Sequence, residues 1–312
     1  MGQRRAAFAV SVLSAVVVAC SGTEGDASIR PETACDDAAT AICDKLEECA
    51  PFLSATLFTD RAACAARFTI NCASSFTANG TSATPDRAAQ CARDVRSASC
   101  ADALGRVLPE TCRTLPGALD DGTPCGHDAQ CKNRLCRLAQ GSPCGACSSL
   151  GVAGGTCERQ DDCEHGLTCV EQRCIAYAKL GNACSAKQPC LPTLGCNAGV
   201  CAEPLAAGVA CTFKLNENPC DAVKGFYCHP RDGVCVAIGT AAPGGQCELS
   251  VDKVTACTGG AECKIAAGAS TGPCVAPAAD GAACSDGDGP KCVGPARCSN
   301  GVCTIIDPAS CK

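Results

Sequence analysis

The chain has 312 residues, 35 cysteines, no Trp, two Tyr and seven Phe, with a formal charge of −6. One residue in nine being cysteine marks a disulfide scaffold, and the scarcity of large apolar side chains excludes one large conventional core. Disulfides persist only where the surroundings are oxidising, so the cysteine count predicts export; an acidic, aromatic-poor surface without a Lys/Arg cluster excludes a nucleic-acid partner.

Residues 1–19 combine a basic start (Arg4, Arg5) with a largely apolar run from Ala6 to Ala19, too short to span a bilayer and suited to a signal peptide. Its end, Val17-Val18-Ala19-Cys20, resembles the lipobox of bacterial lipoproteins, in which the Cys becomes the lipidated first residue of the mature chain. That resemblance implies a membrane partner through an N-terminal lipid anchor at Cys20, with Ser21 implying the outer membrane, periplasmic or cell-surface facing. Residues 20–34 then read as a tether, and loss of Arg4 and Arg5 leaves a charge of about −8. Parity agrees, because removing Cys20 leaves 34 cysteines, which can pair completely. An ordinary cleaved signal is the alternative.

Residues 35–112 read as a small α-helical, disulfide-linked domain with eight cysteines: Cys35, Cys43, Cys49, Cys64, Cys72, Cys91, Cys100 and Cys112. Four of the seven phenylalanines fall nearby (Phe52, Phe58, Phe68, Phe76), so a conventional core is expected here. The first helix is predicted from Thr33, with Asp36 completing a capping pattern, to just before Pro51, along a stripe of Ala38, Ile42, Leu46 and Cys49. The second is expected from Asp60 to Phe76, and the third from Thr84-Pro85-Asp86 through Cys91 and Val95. Cys35/Cys43 and Cys64/Cys72 each have C-x7-C spacing, which puts both sulfurs on one side of a helix at ~12 Å of rise. Two antiparallel helices stapled as Cys35 to Cys72 and Cys43 to Cys64 would satisfy this, though eight cysteines allow about 105 pairings.

A Pro/Gly/Asp-rich linker at 113–124 precedes six tandem cysteine-rich repeats at 125–312, expected as short β-hairpins and loops. Two copies read C-x5-C-x5-C-x4-C: Cys157, Cys163, Cys169, Cys174 and Cys184, Cys190, Cys196, Cys201. The first copy holds Cys125, Cys131 and Cys136 followed by Cys144-Gly-Ala-Cys147. The fourth (Cys211, Cys220, Cys228, Cys235) and fifth (Cys247, Cys257, Cys263, Cys274) stretch, and the sixth (Cys284, Cys292, Cys298, Cys303) returns near the pattern. The fifth cysteine of copy one leaves Cys311 as its companion by parity. Four spacers between copies enclose nine residues each, and a glycine turn precedes every first Cys: Gly122, Gly154-Gly155, Gly181, Gly208, Gly244-Gly245 and Gly281. A Gly shortly before the last Cys (Gly199, Gly233, Gly301) predicts a tight hairpin.

These spacings, with the Gly-x-x-Cys openings and Gly-Val-Cys closings, resemble bacterial cysteine-rich lipoproteins whose repeats are similar to the Dickkopf N-terminal cysteine-rich domain and the EB module. The resemblance covers about residues 120 to 305 and implies a noncatalytic structural or recognition role, with a protein or glycan partner at the cell surface.

Motifs with catalytic overtones have plainer readings. Cys144-Gly-Ala-Cys147 lacks the second pair or clustered histidines of a zinc site, since His127, His165 and His229 are scattered. Gly268-Ala-Ser270-Thr-Gly272 matches a nucleophile elbow only formally, and Asp286-Gly-Asp288 lacks the other ligands of a calcium loop. Asn79-Gly-Thr81 is a glycosylation sequon, of little consequence in a bacterial host. No cofactor, metal or enzymatic activity is expected. The rival reading is a protease inhibitor presenting Thr212–Pro219 or Glu248–Ala256, and an enzyme ranks third.

Overall fold

The computed structural model describes residues 29–138, 142, 144–214, 217–285, 287 and 289–311. Helices α1 (Pro31–Cys49), α2 (Pro51–Leu57), α3 (Arg61–Thr77), α4 (Pro85–Ser97) and α5 (Cys100–Leu104) come first. Helix α1 begins at Pro31 rather than Thr33: Pro at the first helical position brings a preset φ and has no N–H to orphan, so the start needs no hydroxyl cap. It thereby takes in residues 31–34 of the segment read as tether. Asp60 and Thr84 cap α3 and α4 by accepting from the N–H groups of Ala63 and Arg87.

The helical core differs from the expected one. Its buried cluster is Ala38, Ala41, Ala92 and Val95, with Ile42, Ala88, Cys91 and Cys112 against it. All four phenylalanines are only half-buried: α1 lies close against α3 and α4 where small side chains fit, while Phe52 lies against Gly225 and Phe58, Phe68 and Phe76 border cavities. Disulfides fix this packing: Cys35–Cys72 and Cys43–Cys64 staple α1 to α3, Cys49–Cys100 ties α1 to α5, and Cys91–Cys112 ties the middle of α4 to the turn at Glu110–Cys112.

Beyond Leu119 the chain is disulfide-rich and built of small sheets: four two-stranded antiparallel hairpins, a three-stranded sheet in the first unit, and a five-stranded sheet in the fifth in which 239–241 pairs in parallel with 255–257. In all six units the first cysteine bonds the third and the second bonds the fourth, from Cys125–Cys136 and Cys131–Cys147 to Cys284–Cys298 and Cys292–Cys303. Third and fourth cysteines face each other across each hairpin, as Cys169 faces Cys174 and Cys196 faces Cys201. The cystines are the core of each unit, joined by buried Ala178 in the third and buried Ala278 and Ala296 in the sixth, with one to three partly buried apolar neighbours.

The steady spacer has a structural cause. The residue six positions before each first Cys (Leu119, Gly151, Ala178, Leu205, Ala241, Ala278) pairs in parallel with the second Cys of its unit. Three positions before it, Gly122, Gly154, Gly181, Gly208, Gly244 and Gly281 each donate their N–H to the carbonyl of the fourth Cys at 2.7–2.8 Å. All six adopt left-handed φ between 76° and 84°, which is why glycine recurs there. The last six positions of a spacer thus belong to the unit that follows, and the two extra residues between Cys235 and Cys247 fall ahead of Ala241, where they disturb neither contact.

Every unit also touches the helical domain. Gln130 Nε2 donates to the Asn79 carbonyl at 2.9 Å, Gly166 N–H to the Arg106 carbonyl at 3.1 Å, and Leu191 packs on Gly105. Phe52 lies against Gly225, Gly259 and Gly260 N–H groups donate to the carbonyls of Ala55 and Thr56, and Arg67 grips Asp280 with two bonds of 2.7 and 2.9 Å. The segment read as a linker is held on both sides, Ala118 N–H to the Gly80 carbonyl and Gly117 N–H to the Cys131 carbonyl. Cys144–Cys311 finally joins the first unit to the chain end across a separation of 167 residues, closing a covalent circuit.

Candidate ligand-binding site

A cavity of about 550 Å³ lies where that circuit closes, between α3, the first and sixth units and the C-terminal segment. Helix α3 presents Arg67, Asn71 and Ser74 to it from one face, at i, i+4 and i+7. Leu57, Phe58, Phe68, Leu138, Ile305 and Ile306 supply apolar wall, with the Phe58 and Phe68 rings 6.2 Å apart. A smaller cavity of about 210 Å³ between the helices and residues 111–115 shares Phe68, Asn71 and His127 with it.

The polar end is built by the first and sixth units. Gln130, fully buried, accepts from the N–H groups of Gly126 and His127 at 2.7 and 2.9 Å and so fixes the turn that carries His127 and Asp128. His127 Nδ1 accepts from the Ala129 N–H at 3.2 Å, so the neutral ring carries its proton on Nε2. Burial holds the His127 ring below its ordinary value, the Asp128 charge opposing. Asp128 Oδ1 accepts from the Cys136 N–H at 2.7 Å, yet burial outweighs this and pushes the carboxyl up. Arg297, on the hairpin of the sixth unit, makes no side-chain hydrogen bond or ion pair among the described residues, and burial pulls its guanidinium down. Arg67 is by contrast spent, its bonds going to Asp280 and the carbonyls of Val293 and Gly294. Its guanidinium holds the Asp280 carboxyl below the usual range and anchors the sixth unit to α3.

The residues singled out by sequence are dispersed. Cys20 lies outside the described residues, as do Asp286 and Asp288. The two cysteines of Cys144-Gly-Ala-Cys147 are not bonded to one another: Cys144 bonds Cys311 and Cys147 bonds Cys131. Clusters such as Cys125, Cys131 and Cys147 bring sulfurs within 4.8 Å, but each sulfur is in a disulfide and offers no thiolate to a metal. Ser270 sits beyond a turn at Gly268, its carbonyl accepting from the Leu249 N–H. Glu248 and Leu249 are paired on one side with 254–255, and the tip beyond them is tied by Ser250 and Lys253. His165 and His229 lie away from the cavity, and the Asn79 carbonyl serves Gln130.

Asp128 and Arg297 were not legible as partners in sequence, since 169 positions separate them and nothing in the spacing pairs the units that carry them. No family model, no curated protein and no solved structure matches this chain.

Proposed function

We propose that this is an exported, lipid-anchored envelope protein of bacterial cysteine-rich type, with a noncatalytic binding role. It displays a tandem array of six Dickkopf-like or EB-like units around a helical domain. One observation carries the reading: 34 cysteines from Cys35 to Cys311 are consumed in 17 disulfides, and Cys20 alone is left, at the end of a signal-like run. So many disulfides suit an oxidising compartment outside the cytosol. The lipobox-like Val17-Val18-Ala19-Cys20 supports an acyl anchor, and among the described residues no helix is long and apolar enough to cross a membrane. The binding role is supported by a cavity of about 550 Å³ within the usual range for small-molecule sites, held by cross-linked walls.

Intact mass spectrometry of the protein from its native envelope tests this. The expected mass is that of residues 20–312 plus acyl chains, gaining about 34 hydrogens on reduction. An unlipidated mature mass would remove the anchor, and free thiols among residues 35–311 would remove the closed scaffold.

A further inference from the structure

Arg297 and Asp128 both line the cavity, and neither charged end has a side-chain partner among the described residues. They stand beyond the 4.0 Å reach of an ion pair, yet close enough that each charge shifts the other's ionisation. A half-buried guanidinium and carboxylate held apart leave a gap between opposite charges, and each is costly to keep out of water unpaired. The group that fills such a gap carries both charges itself.

We propose that this cavity binds a zwitterion of amino-acid type, a short peptide with apolar side chains, whose carboxylate meets Arg297 and whose ammonium meets Asp128. His127 Nε2–H adds a second donor for the carboxylate, its tautomer set by the Ala129 N–H on Nδ1. Phe58, Phe68, Leu138 and Ile305 receive the apolar side chains. The cavity of about 550 Å³ exceeds what one amino acid fills and accommodates two or three residues. The other charged groups on its wall are committed, Arg67 to Asp280 and Asp161 to Arg106 at 3.5 Å, and Arg159 near Arg297 adds a second positive charge at the end that receives the carboxylate. The proposal deepens the binding role given above and rests on it.

The test is calorimetric titration of the oxidised protein with the dipeptide Leu-Phe, its N-acetyl form, its C-terminal amide and octanoate, at low ionic strength. Leu-Phe should bind, and each blocked form should lose about tenfold to a hundredfold in affinity, the range of a charge-assisted hydrogen bond. Arg297→Gln should abolish the difference between Leu-Phe and its amide, and Asp128→Asn that between Leu-Phe and its N-acetyl form. Both variants must keep the parent's disulfide count and far-ultraviolet spectrum, and each supplies its own matched ligand comparison. Undetectable binding of Leu-Phe at millimolar concentration overturns the proposal, as does equal binding of the blocked forms. Octanoate binding as tightly as Leu-Phe removes Asp128 from it. Since the mass measurement reads anchor and cross-links independently of any ligand, a lipidated, fully bonded protein that ignores Leu-Phe refutes the zwitterion site alone.

Discussion

In the helical domain, four disulfides close separations of 21 to 51 residues around a core of alanines and one valine. In the six units, twelve disulfides close separations of 11 to 17 and are themselves the core. The helices satisfy their backbone groups internally, so their cross-links need only hold finished cylinders in register. A three-residue hairpin has no such independence, being marginal in water without packing. Local self-sufficiency of the backbone therefore decides whether a cystine is a staple or a core. The circuit-closing Cys144–Cys311 is a third kind, holding finished units together over a separation of 167.

Loss of Cys144–Cys311 should have the largest effect on the unfolded chain. By loop entropy, its replacement by two serines costs about 5 kcal/mol, against about 4 for Cys35–Cys72 and about 3 for Cys163–Cys174. Denaturant titration checks the order. Cys144→Ser with Cys311→Ser should leave the six hairpins' amide protection intact while exposing the cavity walls; collapse of the hairpins themselves would show that the circuit is part of their core.

The second comparison sharpens the contrast of staple and core. Replacing Cys163 and Cys174 by alanine should erase hydrogen-exchange protection throughout its hairpin, from Leu167 to Ala176, despite the smaller entropic term. Replacing Cys35 and Cys72 by alanine should leave the amides of α1 and α3 protected. Equal local loss in both variants would contradict the distinction.

A smaller effect isolates the spacer. Gly181 has φ +81° and nothing within 4 Å of where a Cβ would stand, so Gly181→Ala meets backbone strain without a clash. The cost should be about 1–2 kcal/mol, read as an earlier denaturation midpoint. Gly287, where a Cβ would meet nothing among the described residues nearer than Ser285 Oγ at 3.8 Å and the φ is not left-handed, is the control position and should tolerate alanine.

The smallest effect is pH-dependent. Burial lowers His127, so the unfolded chain takes up a proton that the folded chain refuses as the pH falls below about 6.5. Its contribution is complete above that pH and is lost on acidification towards the folded value. Asp128 is raised by burial, so the fold keeps a proton there that the unfolded chain has released, and its contribution falls as pH rises above about 3.9. His127→Asn, which keeps an acceptor for the Ala129 N–H, should flatten the stability profile below about pH 6.5. An unchanged slope would contradict the burial argument.

Features written in local spacing were the legible ones. Asp60, Thr84 and Pro85 mark their helix starts directly, and the pairs Cys35/Cys43 and Cys64/Cys72 face each other as their helical spacing suggests. Helix α2 was not legible, because Pro51 reads equally as the stop of α1 and the start of another helix, and seven residues show too little period. The phenylalanines escape a local reading because Phe52 packs on Gly225, far along the chain, and Phe58 and Phe68 face a cavity that distant segments complete. The spacers were seen as constant, but their cause, a parallel bridge to a cysteine twelve or more positions on, lay in pairing. The cavity gathers α3 and five distant segments, so no local signal announces it.

The most direct measurement is a disulfide map of the unreduced protein by proteolysis and mass spectrometry, cutting between every pair of cysteines. It should show first-to-third and second-to-fourth bonds in all six units, the two α1–α3 staples, and a peptide joining Cys144 to Cys311. A Cys144–Cys147 bond, with Cys131 and Cys311 free or shuffled, would contradict both the repeated cystine core and the closed circuit that shapes the cavity.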